Sequence, residues 1–136
     1  MKDDLSQQLA AIDVFAGLSP RQLKKLAAQV REVHHDDGHQ VSTEGKGALG
    51  FHLILDGHAN VSSKGVQRRT LGPGDYFGEI SLIDGRPRSA TVVAEGPLHT
   101  AVIDNSTFQP LIDESPEFAR SLLLVLCGRL RALEQV

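Results

Sequence analysis

Hydrophobic residues at the start of the chain recur at intervals of three and four positions. Leu5, Leu9 and Ile12 have this spacing, which predicts a short amphipathic helix over residues 5–12 because it places all three side chains on one face. Apolar residues then cluster over residues 14–18. This cluster is interpreted as a hydrophobic turn between two helices.

A second helix is predicted to begin directly after Ser19. Pro20 occupies the first helical position and Gln22 the third, so the side chains of Ser19 and Gln22 can form a capping box. The residues beyond this start form one apolar stripe, made of Leu23, Leu26, Ala27 and Val30. The N-terminal region, residues 1–37, is therefore predicted to be a helical element.

From Gly38 onward the period of the pattern changes from helical to two, which is typical of strands. Apolar and polar positions alternate on both sides of Asp56-Gly57, a dipeptide that favours a hairpin. The further strands are predicted to run up to Leu71, over residues 89–94 and over residues 98–103. The turns between them are predicted at residues 62–65, 72–74 and 95–97. Short strands with turns at this interval predict a barrel or a sandwich.

Two helical segments are predicted after the last strand. Residues 107–112 have room for one or two helical turns around Pro110, and Ser115 followed by Pro116 marks the start of a final helix. Apolar residues cover an unusually wide part of this final helix. Such a surface needs the sheet on one side and a ligand lid or a partner helix on the other, or else it packs on the sheet alone.

The composition limits the class of protein. The 136 residues are expected to form one domain, and 40% of them are hydrophobic without a long apolar run, which argues against a membrane span. Residues 1–8 are polar and acidic and do not read as a signal peptide, so a cytoplasmic location is expected. Cys127 is the single cysteine, and its apolar surroundings predict a buried, inert thiol.

The charge and the histidines remove two further classes of function. A formal net charge of −3 argues against direct nucleic acid binding, which demands a basic face. His34, His35 and His39 cluster near a turn, but their spacing matches no standard zinc pattern, so a solvated turn is expected rather than a metal site. The other histidines are expected to be isolated side chains at the surface or at an edge, namely His52, His58 and His99.

Residues 77–92 combine groups that suit a small anion. Arg88 carries a permanent planar fork of donors that matches two oxygens of a phosphate, whereas Glu79 is acceptor-only when ionised and suits a sugar hydroxyl. Gly78 permits a close backbone approach, and a helical turn over residues 80–83 would direct free amides toward an anion. On these residues alone, a surface ion pair between Glu79 and Arg88 is an equal alternative.

The segment resembles the phosphate-binding cassette of the cyclic nucleotide-binding domain family, of the type found in catabolite activator protein and the regulatory subunit of protein kinase A. The resemblance is carried by two motifs, Phe77-Gly78-Glu79-Ile80-Ser81-Leu82 and Pro87-Arg88-Ser89-Ala90-Thr91. It implies that Glu79 accepts a hydrogen bond from the ribose 2′-hydroxyl and that Arg88 pairs with the cyclic phosphate. The other residues implied to line the ligand are Gly78, Ile80, Ser81 and Ser89. Thr91 joins them because strand alternation puts it on the same face as Ser89.

The resemblance also implies an architecture. It is an α+β fold in which an antiparallel β-roll, a jelly-roll-like barrel, is flanked by N-terminal helices and a C-terminal lid or hinge helix. The single domain, residues 1–136, would then consist of a helical element (1–37), the β-roll (38–104) and C-terminal helices (105–136). Candidate lid residues on the last helix are Arg129, Leu130 and Leu133.

The implied function is that of a cyclic nucleotide sensor whose flanking helices pass the signal to a homodimer partner or to an effector domain or protein. cAMP is favoured over cGMP because Ser89 stands where a threonine is associated with cGMP preference. A ligand-independent dimerisation or interaction module with the same fold is the alternative. An enzyme is not expected, because Arg88 is no general base and no catalytic residue, metal cluster or cofactor is evident. Nothing after the cassette carries a second chemistry, so the chain is expected to be a stand-alone module or part of a longer protein.

Overall fold

A computed structural model describes residues 2–42, 45, 50–84, 86 and 90–134, and for residues 2–4, 81 and 82 it describes the backbone. The elements in chain order are α1 (Lys2–Ala10), a 3₁₀ helix (Asp13–Phe15), α2 (Pro20–Ala27), β1 (Arg31–His35), β2 (Gln40–Ser42), β3 (Phe51–Ser63), β4 (Val66–Leu71), β5 (Tyr76–Phe77), α3 (Glu79–Asp84), β6 (Thr91–Ile103), α4 (Asn105–Glu114) and α5 (Pro116–Glu134). They divide into two compact units, a helical unit (Met1–Gln29 with Gln109–Val136) and a sheet unit (Val30–Phe108).

The sheet unit is built on one long antiparallel pair, β3 with β6, whose register runs from Phe51 opposite Ile103 to Ser62 opposite Thr91. Strands β1 and β2 pair with β6, and β4 and β5 pair with β3, all in antiparallel orientation. The main path through the sheet is β1-β6-β3-β4. An antiparallel sheet with helices before and after it in the chain confirms the predicted fold class.

The hairpin predicted at Asp56-Gly57 is wrong. Strand β3 continues through these residues, and its pairing with β6 shifts register on both sides of Asp56. Gly57 has a φ of +90°, and a Cβ atom placed on it would overlap the carbonyl oxygen of Pro97. The predicted turn at residues 95–97 is wrong for the same reason, because these residues lie in β6 opposite the irregularity. The dipeptide therefore makes a bulge in two long strands rather than a reversal between short ones.

The reversal that does occur lies at Lys64 and Gly65, between β3 and β4, within the turn predicted at residues 62–65. Both residues have positive φ values, 53° and 75°, as the two central positions of a type I′ hairpin require. Strand β1 was not predicted, since residues 1–37 were read as helical throughout. It forms because it completes the sheet beside β6, with Val33 opposite Thr100.

The starts of α2 and α5 were predicted correctly from local chemistry. Ser19 N donates to Gln22 Oε1 at 2.8 Å and Gln22 N donates to Ser19 Oγ at 3.2 Å, which confirms the capping box of α2. Phe118 N donates to Ser115 Oγ at 3.3 Å, which confirms Ser115 as the cap of α5. The helix ends were less accurate. α1 covers Lys2–Ala10 rather than residues 5–12, and α2 ends before Val30.

Each unit has its own apolar contacts. In the helical unit the buried rings of Phe15 and Phe118 stack with centroids 5.8 Å apart. In the sheet unit the core cluster consists of Val41, Ile54, Ala59, Val61, Leu71, Phe77, Val92, Ala94 and Leu98. Cys127 is exposed, so the prediction of a buried thiol is wrong; it shares α5 with exposed leucines. No described helix is long and apolar enough to cross a membrane.

The bulge at Gly57 can be tested by substitution. We expect Gly57→Ala to lower the free energy of unfolding by about 2–4 kcal/mol, because alanine adds both positive-φ strain and the overlap with Pro97. Gly96→Ala is the matched control, since Gly96 has a φ of +76° but nothing within 4 Å of a built Cβ. It should cost about 1 kcal/mol. Equal shifts of the urea midpoint in both variants would contradict the bulge.

Candidate functional site

The predicted cassette begins on β5, a two-residue strand that is held by β3. Phe77 pairs with His52 and Tyr76 pairs with Leu53. Two backbone hydrogen bonds extend this pairing, since Ile54 N donates to Asp75 O and Gly74 N donates to Ile54 O, both at 2.9 Å. Phe77 is 6% exposed and belongs to the core cluster. The start of the cassette is therefore fixed to the centre of the sheet.

Gly78 makes the closest backbone approach in this part of the site. Its φ is +96°, and a Cβ atom placed on it would overlap the carbonyl oxygen of Gly50. Gly50 in turn lies against the end of β6, where a Cβ atom would be 3.0 Å from the carbonyl oxygen of Ile103. Three backbone segments meet at this point, so both glycines are needed for steric reasons. This role was predicted from the sequence for Gly78 but not for Gly50.

Glu79 directly follows this contact and is the first residue of α3. Its side chain is 5% exposed, although it carries a carboxyl group. The position at the helix N-terminus favours a negative charge, because the first amides of a helix point outward along its axis. A carboxylate buried to this extent requires hydrogen-bond donors around it. Glu79 is therefore a buried, acceptor-rich group that the fold holds in a fixed place.

The rest of α3 contributes in other ways. The helical turn predicted over residues 80–83 is confirmed within Glu79–Asp84. Ile80 is 43% exposed, and Ser81 lies in the helix with its side chain outside the described part. The chain is stabilised after the helix where Arg86 N donates to Asp84 Oδ1 at 2.9 Å.

Two of the predicted ligand residues, Arg88 and Ser89, lie outside the described residues, so their roles stay predictions. Thr91 begins β6 opposite Ser62 and is half-buried. Burial alternates after it, with Val92 and Ala94 in the core cluster, so Thr91 lies on the other face of the strand. Gly78 and Glu79 thus lie together beside Gly50, and Thr91 lies at the start of β6, the next strand in the chain.

The candidate lid residues lie on the last turns of α5. Arg129 is half-buried, whereas Leu130 is 59% exposed and Leu133 is 71% exposed. Leu123 and Leu124 are exposed to a similar extent on the same helix. The wide apolar surface predicted for the final helix is therefore present, and much of it faces outward in the helical unit.

The histidines differ most from expectation. His34 and His35 belong to β1 rather than to a solvated turn, and His34 stacks on His99 with ring centroids 4.1 Å apart. His52 is 7% exposed and stacks on Phe77 at 4.7 Å, so the prediction of an isolated surface side chain is wrong. Residues 51–54 are all buried, and alternation therefore gave no signal for His52. In the described part of the chain, no three His, Cys, Asp or Glu side chains are grouped to hold a metal ion.

Comparison with known proteins shows the family to which the chain belongs. A family model described as the cyclic nucleotide-binding domain matches residues 32–115, and the chain belongs to this family. The chain is 28% identical over 132 residues to a CRP-like cAMP-activated global transcriptional regulator of Mycobacterium tuberculosis. The alignment covers 93% of this chain and 59% of that relative. The chain is 37% identical over 113 residues to a cAMP-dependent protein kinase regulatory subunit of Eremothecium gossypii, covering 82% of this chain and 25% of the relative.

Solved structures show the same fold. The sensor domain of the transcriptional regulator DNR from Pseudomonas aeruginosa matches with a TM-score of 0.83 at 23% identity, over 99% of this chain and 95% of that chain. The regulatory domain of Toxoplasma gondii PKA with cAMP matches with a TM-score of 0.80 at 24% identity, over 94% of this chain and 49% of that one. The chain spans 59% of the first of these two curated relatives and 25% of the second.

The contact between Gly78 and Gly50 gives a test of how the site is held. We expect Gly78→Ala to lower the free energy of unfolding by about 2–4 kcal/mol, since the new methyl group meets a backbone carbonyl that cannot move freely. Gly74→Ala is the matched control, because Gly74 has a φ of +90° with open space around it. It should cost about 1 kcal/mol in urea unfolding. A Gly78→Ala protein as stable as the control would show that the close approach does not exist.

Proposed function

We propose that this chain is a regulatory domain that binds cAMP and changes the position of its flanking helices on binding. The observation that carries the proposal is the burial of Glu79 at the start of α3, next to the backbone contact of Gly78 with Gly50. These residues lie inside the segment that the family model matches. A site of this kind presents a fixed acceptor to a ligand that has a hydroxyl group.

The recognition chemistry follows from two oppositely charged residues. Glu79 accepts a hydrogen bond from the ribose 2′-hydroxyl. Burial favours this bond because little water competes for the carboxylate. Arg88 pairs with the cyclic phosphate through two parallel hydrogen bonds, which requires its planar guanidinium. Gly78, Ile80, Ser81, Ser89 and Thr91 line the ligand in this proposal. The cyclic phosphate and the ribose hydroxyl belong to one fused ring system, so a single ligand can bind both Arg88 and Glu79.

cAMP is proposed over cGMP on two grounds. Ser89 stands where a threonine is associated with cGMP preference in the family. The curated relatives are described as a cAMP-activated regulator and a cAMP-dependent kinase subunit, and the Toxoplasma structure contains cAMP. No catalytic role is proposed, since Glu79 is committed to the ribose and Arg88 does not accept a proton.

The output of the domain is proposed to run through its helices. A ligand shifts an equilibrium between two helix positions only by its difference in affinity for the two states. Arg129, Leu130 and Leu133 on α5 are the proposed lid residues. The relatives are longer than this chain, which supports an effector domain or a partner protein as the receiver of the signal.

Arg88→Leu is the direct test of the proposal. We expect cAMP affinity to fall by about 30-fold to several thousand-fold, because truncating one member of a buried charge pair costs about 2–5 kcal/mol. Isothermal calorimetry with cAMP and cGMP on purified protein measures both affinity and preference. Arg88→Lys should lose most of the affinity as well, since it keeps the charge but not the planar fork.

Arg86→Leu is the matched control for this experiment, since Arg86 is an exposed arginine two positions away in the sequence. It should bind cAMP like the wild type. Equal loss in both variants would point to the net charge of this segment rather than to Arg88. No heat with either nucleotide in the wild-type protein would overturn the proposed function.

A second candidate is a ligand-independent dimerisation module, and the exposed leucines of α5 favour it. Leu123, Leu124, Leu130 and Leu133 are each 59–71% exposed, which is unusual for four leucines on one helix. Sedimentation of the protein with and without cAMP separates the two functions. A dimer that is unaffected by nucleotide and lost in Leu130→Ser supports the module, and a change of state with cAMP supports the sensor.

A further inference from the structure

A polar cluster joins three strands next to the cassette, with two of its residues buried and one, His35, half-buried. Thr100 on β6 is fully buried, and its Oγ1 lies 3.1 Å from Nε2 of His35 on β1. The same Oγ1 lies 3.5 Å from Nδ1 of His52 on β3, which is 7% exposed. A single hydroxyl therefore connects two histidine rings whose centroids are 6.3 Å apart. We call these three residues the histidine cluster.

The cluster contacts the cassette through one aromatic ring. His52 is the register partner of Phe77 on β5, and their rings lie parallel with centroids 4.7 Å apart. Phe77 is followed at once by Gly78 and then by the buried Glu79. The His52 ring therefore packs directly on the residue from which the proposed ligand-binding segment starts.

The surroundings of the cluster oppose a positive charge. His35 also stacks on His39 at 5.3 Å, and burial first, then His39 and His34, hold the pKa of His35 below its ordinary value. On the other face of β1, His34 stacks on His99, whose Nε2 is 3.1 Å from Glu32 Oε1. Asp37 in the next turn accepts a hydrogen bond from Gly96 N at 2.7 Å. The described groups whose charge acts on His35 are thus other histidines.

We propose that His35, Thr100 and His52 are positioning residues for the cassette, and that protonation of this cluster weakens nucleotide binding in acid. The nucleotide part of this inference rests on the proposed function. With both rings neutral, the Thr100 hydroxyl donates to one ring and accepts an N–H from the other. When His35 is protonated, both of its ring nitrogens can only donate, and a cation lies in a partly buried site beside the rings of His39 and His34.

The direction of the pH effect follows from proton linkage. A histidine whose folded pKa is depressed takes up fewer protons in the folded state than in the unfolded state. The stability that it supports is complete above its ordinary pKa of about 6.5 and is lost as the pH falls through the lower folded value. The sheet unit should therefore weaken as the pH falls below about 6.5.

The first experiment needs no nucleotide. Urea unfolding of the full chain is measured at pH 8.0, 7.0, 6.0 and 5.5 for the wild type, His35→Gln and His58→Gln. The glutamine at position 35 can bond Thr100 but does not titrate, whereas His58 is an exposed histidine outside the cluster. We expect the midpoint to fall in acid for the wild type and His58→Gln, and to fall less for His35→Gln. A level wild-type profile, or an equal fall in all three, would overturn the inference.

The second experiment measures cAMP binding by calorimetry over the same pH values, in which the cyclic phosphate keeps its charge. The wild-type Kd should rise by about tenfold between pH 8.0 and pH 5.5, and the ratio should be smaller for His35→Gln. A wild-type Kd that is constant across this range would overturn the coupling to the cassette. Absence of binding at pH 8.0 would overturn the proposed function, while the urea series would still decide the role of the cluster.

Histidine NMR keeps the inference testable if His35→Gln does not fold. The ring resonance of His35 in the wild-type protein is followed from pH 8.0 to pH 5.0. A midpoint below about pH 6.5, the ordinary value for histidine, is the expected result, and a midpoint at or above it would overturn the inference.

Discussion

The pairing of β3 with β6 is the constraint on which the sheet unit depends. In the described part of the chain, every other strand pairs with one of these two. The ends of the same pair also define the site, because Gly50 precedes β3 and Ile103 ends β6 where the backbone of Gly78 approaches. The cassette is therefore held by the most extensive hydrogen-bonded ladder in the sheet unit, and not by loop contacts alone.

What could be predicted from sequence was mostly local chemistry. The caps at Ser19 and Ser115 and the short helix at Glu79 each depend on residues within four positions of one another. The motif around Glu79 indicated the family because its residues follow one another directly in the chain. These features do not require the rest of the chain to be known.

What could not be predicted depends on partners far away in the chain. From the sequence alone, Gly57 indicates a hairpin. In the structure Pro97 lies against Gly57, and the glycine allows the two strands to stay paired through a bulge. Strand β1 is polar and exposed at several positions and becomes a strand only because β6 offers it an edge. His52 looked like a polar outward position because its ring partner, Phe77, belongs to another strand.

The order of the strands has a consequence for how the protein is made. β3 and β6 are separated in the chain by β4, β5 and α3. The cassette therefore lies in the segment that connects the two paired strands. During synthesis, β3 leaves the ribosome long before its partner, and non-local pairing of this kind forms slowly. Glu79 and its neighbours therefore gain their final surroundings only after the segment that ends at Ile103 has left the ribosome.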